Sequence, residues 1–148
     1  MRATVEICGH PFHAVVEGDT VTFATFGEPP EEPLVDDDHP VASALRAYAA
    51  GDVVALERIA VRQPGSEFRQ RVWAELRTVA PGAPISYTEL AGRAGRPAAV
   101  RAAASGCATN RIPLIVPCHR VVRADGGLGG YAFGLDLKRL LLEHEARR

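Results

Sequence analysis

Alternation of apolar and polar positions near the start of the chain predicts a small β-sheet. Residues 13–17 and 20–26 are two short runs rich in valine, threonine and phenylalanine, and the VTFATF stretch is the clearer of the two. The Gly18-Asp19 pair between them is typical of a tight turn. We therefore predict a β-hairpin over residues 13–26.

The remainder of the first sixty residues predicts a loop, a helix and a strand. Residues 28–40 are acidic and proline-rich, which is typical of a loop. Residues 41–50 are rich in alanine and leucine and predict a helix that ends at Gly51. Residues 53–61 predict a strand that leads toward the second half of the chain. With the hairpin, these elements predict a small α/β domain over residues 1–62.

The second half of the chain opens with a helical period. Phe68, Val72, Leu76 and Val79 are spaced by four, four and three residues, which places them on one face of a helix. Ser66 precedes them as a plausible N-cap, and Pro81-Gly82 ends the pattern.

A helix-turn-helix is predicted next. Ser86 to Glu89 is a capping-box pattern that opens a helix over residues 87–94, and Gly95 ends it. Pro97 suits the first turn of a second helix that runs to about residue 108. This second helix is rich in alanine, so one face can approach another surface closely. Dense packing inside the protein explains the same pattern, and the pattern alone favours that explanation.

The candidate catalytic residues come next along the chain. An apolar run over residues 112–116 predicts a buried strand or extended segment that delivers Cys118, His119 and Arg120 at its end. Residues 126–130 (GGLGG) predict a flexible loop, and residues 137–145 predict a terminal helix that ends with Glu145. A thiol, an imidazole and a carboxylate are the constituents of an activated cysteine nucleophile. Most buried cysteines are inert, however, and sequence alone does not place the three groups in contact.

Composition limits the possible classes of protein. The chain has 148 residues, of which 47% are hydrophobic and 24% charged, as in a soluble globular protein. It has no apolar run of membrane-spanning length, and MRATVEICGHPFH lacks the apolar core of a signal peptide, so we expect a cytoplasmic protein. Its three cysteines and five histidines do not cluster, so we expect no disulfide framework and no metal.

Charge is distributed unevenly along the chain. Residues 1–61 carry a balance of −8 and residues 62–148 a balance of +7, although the net charge is only −1. This asymmetry indicates a C-terminal part that binds a polyanion. Mutual attraction between two folded halves is an equally good explanation of the charge alone.

Four segments of the second half resemble a known family. In chain order they are GSEFRQRVW, PISYTELA, NRIPLIVPCHRVV and GGYAFGLDLKRLLLEHE. They resemble the O6-alkylguanine-DNA alkyltransferases, also called methylated-DNA–protein-cysteine methyltransferases, over roughly residues 64 to 146. The resemblance implies an α/β (α+β) protein with a small N-terminal sheet-and-helix domain (1–62). It also implies a C-terminal winged-helix-like domain with a helix-turn-helix (63–148).

The resemblance implies roles for five residues. Cys118 would accept an alkyl group from O6 of guanine, irreversibly and once per molecule, without a cofactor. His119 would remove the thiol proton through a water molecule, and Glu145 would orient the imidazole. Tyr87 would protonate the departing guanine, and Asn110 would fix the turn before the active-site segment.

The resemblance also implies how double-stranded DNA is bound. The helix-turn-helix would enter the minor groove, and Arg101 would fill the base stack while the damaged nucleotide is flipped out. Small residues at 98, 99, 102 and 103 would let backbone approach the sugar-phosphate chain. The implied DNA-binding residues are Arg101, Ala98, Ala99, Ala102, Thr88, Arg96 and Arg123. The implied pocket residues are Pro113, Val121, Tyr131, Ala132 and Phe133. We expect a monomer that does not bind membranes.

The sequence departs from the family pattern at two places. Phe133 stands where smaller residues are usual, so we expect good acceptance of methyl and poor acceptance of benzyl-sized groups. Ala108 stands where an arginine can contact phosphate, and nearby arginines would compensate, namely Arg93, Arg96, Arg111, Arg120 and Arg123.

Three other functions compete with alkyl transfer. A relative that binds the lesion without reacting would lack the acceptor cysteine, whereas Cys118 is present. A cysteine hydrolase that uses Cys118, His119 and Glu145 would leave the helix-turn-helix unexplained. A sequence-specific regulator would carry polar base-reading side chains on the second helix, which is mostly alanine.

Overall fold

The computed structural model describes residues 1–147, which form two compact units. The N-terminal unit contains residues 1–63 and 111–115, and the C-terminal unit contains residues 64–110 and 116–147. The strands are β1 (Arg2–Ile7), β2 (His10–Glu17), β3 (Thr20–Phe26), β4 (Ala60–Val61), β5 (Ile85–Ser86) and β6 (Val121–Val122). The helices are α1 (Pro40–Ala49), α2 (Glu67–Leu76), α3 (Tyr87–Arg93), α4 (Val100–Ala108) and α5 (Leu135–Ala146). The mixed α/β class predicted from the sequence is confirmed.

The N-terminal unit is built on a four-stranded sheet in the order β1-β2-β3-β4. The first three strands are antiparallel, and β4 is parallel to β3. The predicted hairpin is confirmed, although β2 starts at His10 and the sequence did not predict β1. A register shift between Val15 and Val16 lets β3 bury Val21 and then Ala24 and Phe26.

Helix α1 covers one side of the sheet by packing against β1. Its N-cap is His39, whose imidazole accepts a hydrogen bond from the Val41 backbone at 3.1 Å. Leu45 and Tyr48 are fully buried and supply the apolar face that holds the helix in place.

The predicted strand over residues 53–61 is wrong. Residues Ala55–Arg58 form a short 3₁₀ helix, and only Ala60 and Val61 pair with β3. Residues 28–39 of the predicted loop contain no helix, and α1 begins at Pro40, the last residue of the predicted range. The loop is tied to β1 by an isolated bridge between Leu34 and Arg2.

The predicted strand over residues 112–116 is also wrong. The segment is buried but consists of turns, and Leu114 has a φ of 71°. Proline at 113 cannot donate a ladder hydrogen bond, which disfavours a sheet. Residues 111–115 belong to the N-terminal unit rather than to the predicted C-terminal domain. The Arg111 backbone donates to the Gln63 side chain at 2.8 Å and accepts from the Ala24 backbone at 2.9 Å.

Helix α2 is the centre of the C-terminal unit and packs against α3 and α4. Ser66 caps it by accepting from the Arg69 backbone at 3.2 Å, as predicted. Phe68, Val72 and Leu76 are buried as the period required, and Val79 is buried beyond the end of the helix.

Helices α3 and α4 form the predicted helix-turn-helix. The Ser86 side chain accepts from the Glu89 backbone at 3.0 Å, so the capping prediction is confirmed. Gly95 has a φ of 88°, a conformation that suits glycine at the end of α3. Helix α4 begins at Val100 rather than near Pro97, because residues 97–99 form a turn.

The inner face of α4 packs inside the C-terminal unit. Ala103 is fully buried, and the Gly106 carbonyl accepts from the Trp73 indole at 2.9 Å. A Cβ on Gly106 would lie 3.0 Å from Val72 Cγ1, so α2 and α4 approach closely there. Ala103 therefore serves core packing, and its assignment to a DNA-facing surface is wrong.

The last elements of the unit are a two-stranded parallel sheet, β5-β6, and helix α5. Helix α5 buries Leu137, Lys138, Leu141 and Glu145. Within residues 1–147, none of the helices combines the length and the apolar character needed to cross a membrane.

Candidate active site

Cys118 begins a short 3₁₀ helix, Cys118–Arg120, directly before β6. The Asn110 side chain, just past α4, donates to the Val116 carbonyl at 2.8 Å and also hydrogen-bonds to the thiol. Asn110 therefore connects the end of α4 to the segment that carries Cys118.

The Cys118 thiol is held in its neutral form. Burial raises its pKa, and the hydrogen bond from Asn110 and the positive charge of Lys138 oppose that rise only in part. A neutral thiol is a weak nucleophile, so a base must remove its proton before it can attack.

His119, the next residue, is fully buried and contacts the last helix. Its Nε2 lies 2.8 Å from Glu145 Oε2. Arg120 holds the same carboxylate from the other side, through Nε to Oε1 at 2.9 Å and through a second nitrogen to Oε2 at 3.0 Å. A third Arg120 nitrogen donates to the Val79 carbonyl at 2.8 Å.

The Glu145 carboxylate fixes the tautomer of His119. Burial raises the pKa of Glu145, but His119 and Arg120 outweigh that effect and hold the pKa at about 2. An ionised carboxylate can only accept, so Nε2 carries its hydrogen, which in the neutral imidazole leaves the lone pair on Nδ1. The structure thus brings together the cysteine, histidine and glutamate that the sequence singled out.

Lys138 is a residue of the site that sequence reasoning missed. Its buried ammonium donates to the carbonyls of Val121 at 2.7 Å, of Gly130 at 3.1 Å and of Leu128. Its charge also lowers the pKa of Cys118. A signal was available, since Lys138 is the single lysine in a chain that otherwise uses arginine.

Tyr87 lies at the start of α3 and close to the loop that Lys138 holds. Its pKa is raised by burial and by the negative charges that Cys107 and Cys118 would carry, while a hydrogen bond from the Gly130 backbone lowers it. A Cβ on Gly129 would lie 2.8 Å from the Tyr87 hydroxyl, so loop and phenol are in direct contact. Tyr87 is therefore protonated at neutral pH and can donate a proton.

The predicted pocket residues are distributed over three segments. Tyr131 packs edge-on against His119 at 6.4 Å between ring centroids and against Phe133 at 5.7 Å. Val121 is buried in β6, and Ala132 is exposed in the loop. Pro113 belongs to the N-terminal unit, and its part in a pocket stays a prediction.

The predicted DNA-binding residues lie on and around the helix-turn-helix. The exposed ones include Thr88 on α3, Ala98 in the turn, and Arg101 and Ala102 on α4. Ala99 is partly exposed at the N-cap of α4. Their roles in binding stay predictions.

Three arginines proposed as compensating phosphate contacts have partners of their own, yet are exposed. Arg96 stacks over the Phe68 ring at 4.9 Å, Arg93 pairs with Glu89, and Arg123 pairs with Asp125 at 2.7 Å. Arg120 is different. It is buried and committed to Glu145, so its assignment as a DNA contact is wrong.

A family model and a known protein sequence both match this chain. Residues 67–147 match the family model described as 6-O-methylguanine DNA methyltransferase, DNA binding domain. The bifunctional transcriptional activator/DNA repair enzyme Ada of Escherichia coli is 52% identical over 82 residues, which are 55% of this chain and 23% of that protein. The chain thus spans about a quarter of the length of that relative.

Solved structures extend the likeness to both units. The crystal structure of Mycobacterium tuberculosis O6-methylguanine methyltransferase matches with a TM-score of 0.82 and 33% identity, covering 99% of this chain and 93% of that one. Mycobacterium tuberculosis OGT in complex with DNA matches with a TM-score of 0.79 and 32% identity, covering 98% and 92%. This chain therefore belongs to the O6-methylguanine DNA methyltransferase family.

Proposed function

We propose that this protein repairs alkylated DNA by direct reversal. It transfers an alkyl group, mainly methyl, from O6 of guanine to Cys118, irreversibly and once per molecule. The observation that carries the proposal is the buried hydrogen bond between His119 Nε2 and Glu145 Oε2, made by the residue that directly follows the buried Cys118. A family member with this arrangement has both the nucleophile and the base that alkyl transfer requires.

His119 is the proposed base that activates the Cys118 thiol. Since burial keeps Cys118 protonated, its proton must leave as the sulfur attacks. His119 Nδ1 carries the free lone pair and takes the proton through a bridging water molecule. Glu145 keeps the imidazole in this tautomer and stabilises the imidazolium that forms, as a carboxylate does in a catalytic triad.

The transfer step forms one bond and breaks one bond. Cys118 Sγ attacks the alkyl carbon, the carbon–O6 bond breaks, and its electron pair stays on the guanine. Tyr87 donates its phenolic proton to the departing base. The product is a thioether, which has no carbonyl for water to attack and a poor leaving group, so the protein is consumed.

The DNA surface proposed here is the outer side of the helix-turn-helix. Ala98, Ala99 and Ala102 present small side chains there, which let the backbone approach the minor groove. Arg101 is exposed on the same helix and is proposed to occupy the space of the flipped nucleotide. Thr88, Arg96 and Arg123 are proposed to contact the DNA backbone. The binding needs no base-reading side chains, as suits repair of any sequence.

The proposed pocket for the alkylated base is lined by Val121, Tyr131, Ala132 and Phe133. The Phe133 ring packs against Tyr131, which limits the space on the alkyl side and favours methyl. We further propose a monomeric cytoplasmic protein.

A fixed amount of duplex containing one O6-methylguanine, titrated with the protein, tests the proposal. We expect each protein molecule to restore one guanine, so the amount of restored guanine should equal the amount of protein added until no lesion remains. Lesion-selective binding without loss of the methyl would instead support the alternative function, a lesion-binding protein that flips the base and signals to other repair. Continued restoration beyond one per molecule would indicate a regenerating enzyme and contradict the proposal.

A further inference from the structure

Two buried polar atoms in the C-terminal unit have no hydrogen-bond partner within residues 1–147. They are His119 Nδ1 and the hydroxyl oxygen of Tyr131. A buried polar group without a partner is costly, and such groups are concentrated at functional sites. Both atoms belong to side chains whose rings contact each other edge-on, with centroids 6.4 Å apart.

The Tyr131 phenol lies within electrostatic range of the reacting groups. Burial raises its pKa well above the ordinary value, and the charges of Cys118 and Glu145 raise it further. Tyr131 therefore keeps its proton throughout the pH range of activity and acts as a hydrogen-bond donor. His119 Nδ1, with its lone pair, is an acceptor, so the two unpartnered atoms are complementary in kind.

We propose that the Tyr131 hydroxyl and His119 Nδ1 bind the same water molecule, and that Tyr131 thereby positions the proton relay from Cys118. The water accepts one hydrogen bond from Tyr131 and one from the thiol, and it donates one to Nδ1. Three polar partners are the usual number for a buried water. This inference rests on the proposed function.

The relay balances as one proton transfer. As Sγ bonds to the alkyl carbon, the thiol proton passes to the water and a proton of the water passes to Nδ1. The hydrogen bond from Tyr131 occupies one lone pair of the water, so its other lone pair faces the thiol and one O–H faces the imidazole. Tyr131 is a positioning residue, because its own proton does not move.

Tyr131→Phe tests this assignment because it removes only the hydroxyl and keeps the ring that packs against His119 and Phe133. The probe is iodomethane, which methylates the thiolate with loss of iodide and needs no DNA. The rate of Cys118 methylation is measured by mass spectrometry of the peptide as a function of pH. Tyr48→Phe is the matched control, since Tyr48 is a fully buried tyrosine of the N-terminal unit.

Tyr131→Phe is expected to slow methylation at pH 7 by about tenfold, a modest share of what a positioned general base contributes. The deficit should disappear at high pH, where hydroxide removes the proton directly. The melting temperature of Tyr131→Phe should equal or exceed that of the wild type. Tyr131→Phe should cause no further loss of methylation rate when it is added to His119→Ala, since both residues act through one water.

Two results would overturn the assignment. One is a Tyr131→Phe protein that reacts with iodomethane at the wild-type rate at every pH. The other is a loss that is equal at all pH values and accompanied by a lower melting temperature, which indicates a structural role. Failure of the proposed function is distinguishable, because the wild-type protein would then react with iodomethane yet leave O6-methylguanine in DNA unchanged.

Discussion

The Glu145 carboxylate joins two consecutive side chains of the active-site segment, accepting from His119 at 2.8 Å and from Arg120 at 2.9 Å. One carboxylate on the last helix thus orients the base and neutralises a buried guanidinium. Its loss should affect both the reaction and the stability of the fold.

The first prediction concerns the pH dependence of stability. The folded-state pKa of Glu145 is about 2 against an ordinary 4.5, so its contribution is complete above pH 4.5 and is lost as the pH falls toward 2. A depression of this size corresponds to roughly 3 kcal/mol. Glu145→Gln should therefore lower the free energy of unfolding at pH 7, and the difference from the wild type should shrink between pH 4.5 and pH 2.

Urea unfolding at several pH values measures this difference. Glu143→Gln is the matched control, because Glu143 lies on the same helix and is exposed. A Glu145→Gln deficit that stays constant down to pH 2 would show that the ionised carboxylate is not the source of the stability.

The second prediction concerns Lys138. Lys138→Met keeps an unbranched side chain that is one atom shorter, and it leaves the carbonyls of Val121, Leu128 and Gly130 without their shared donor. It also removes a cation that lowers the pKa of Cys118. We expect methyl transfer from DNA to slow by about tenfold, the rate equivalent of roughly one pKa unit, with the rate profile moved to higher pH.

Single-turnover kinetics from pH 6 to pH 10 measure this shift. Arg139→Met removes the neighbouring, exposed cation from the same helix and serves as the control. Equal profiles for the two variants would mean that the position of the buried charge is unimportant.

The third prediction compares two adjacent glycines. Gly129 has a φ of 74°, and a Cβ there would lie 2.8 Å from the Tyr87 hydroxyl, whereas a Cβ on Gly130 would meet nothing within 4 Å. Gly129→Ala should cost on the order of 1–2 kcal/mol from backbone strain alone. It should also displace Tyr87 and slow transfer from DNA. Gly130→Ala should do neither, and equal behaviour of the two variants in melting and transfer assays would refute the geometry.

The fourth prediction concerns the alkyl group. Phe133→Ala removes the ring that packs against Tyr131, so it should open the alkyl side of the proposed pocket. We expect reaction with free O6-benzylguanine to accelerate by at least tenfold relative to the wild type, while reaction with O6-methylguanine in DNA changes less. A wild-type protein that accepts benzyl as readily as methyl would show that Phe133 does not limit the pocket.

Local signals in the sequence determined which parts of the fold were predictable. The N-caps at Ser66 and Ser86 and the hairpin at Gly18-Asp19 depend on neighbouring residues, and the structure contains all three. The apolar runs over 53–61 and 112–116 were taken for strands because a short apolar run shows burial but not pairing partners.

Long-range contacts explain what the sequence missed at the site. Arg120 was assigned to DNA because a basic residue beside a helix-turn-helix suggests phosphate binding, yet its partner Glu145 lies 25 residues away. Lys138 holds one carbonyl of β6, at Val121, and two carbonyls of the following loop, a relationship without a local pattern. Cys118, His119 and Glu145 were singled out by their residue types, but only the resemblance to a family assigned them to one site, since spacing does not place them in contact.

The most direct test of alkyl transfer to Cys118 is intact-protein mass spectrometry with peptide mapping after incubation with duplex DNA that contains one O6-methylguanine. We predict the added mass of one methyl group, located on Cys118, with the guanine restored and with Cys118→Ala inert. A methyl group on any other residue, or repair by Cys118→Ala, would contradict it.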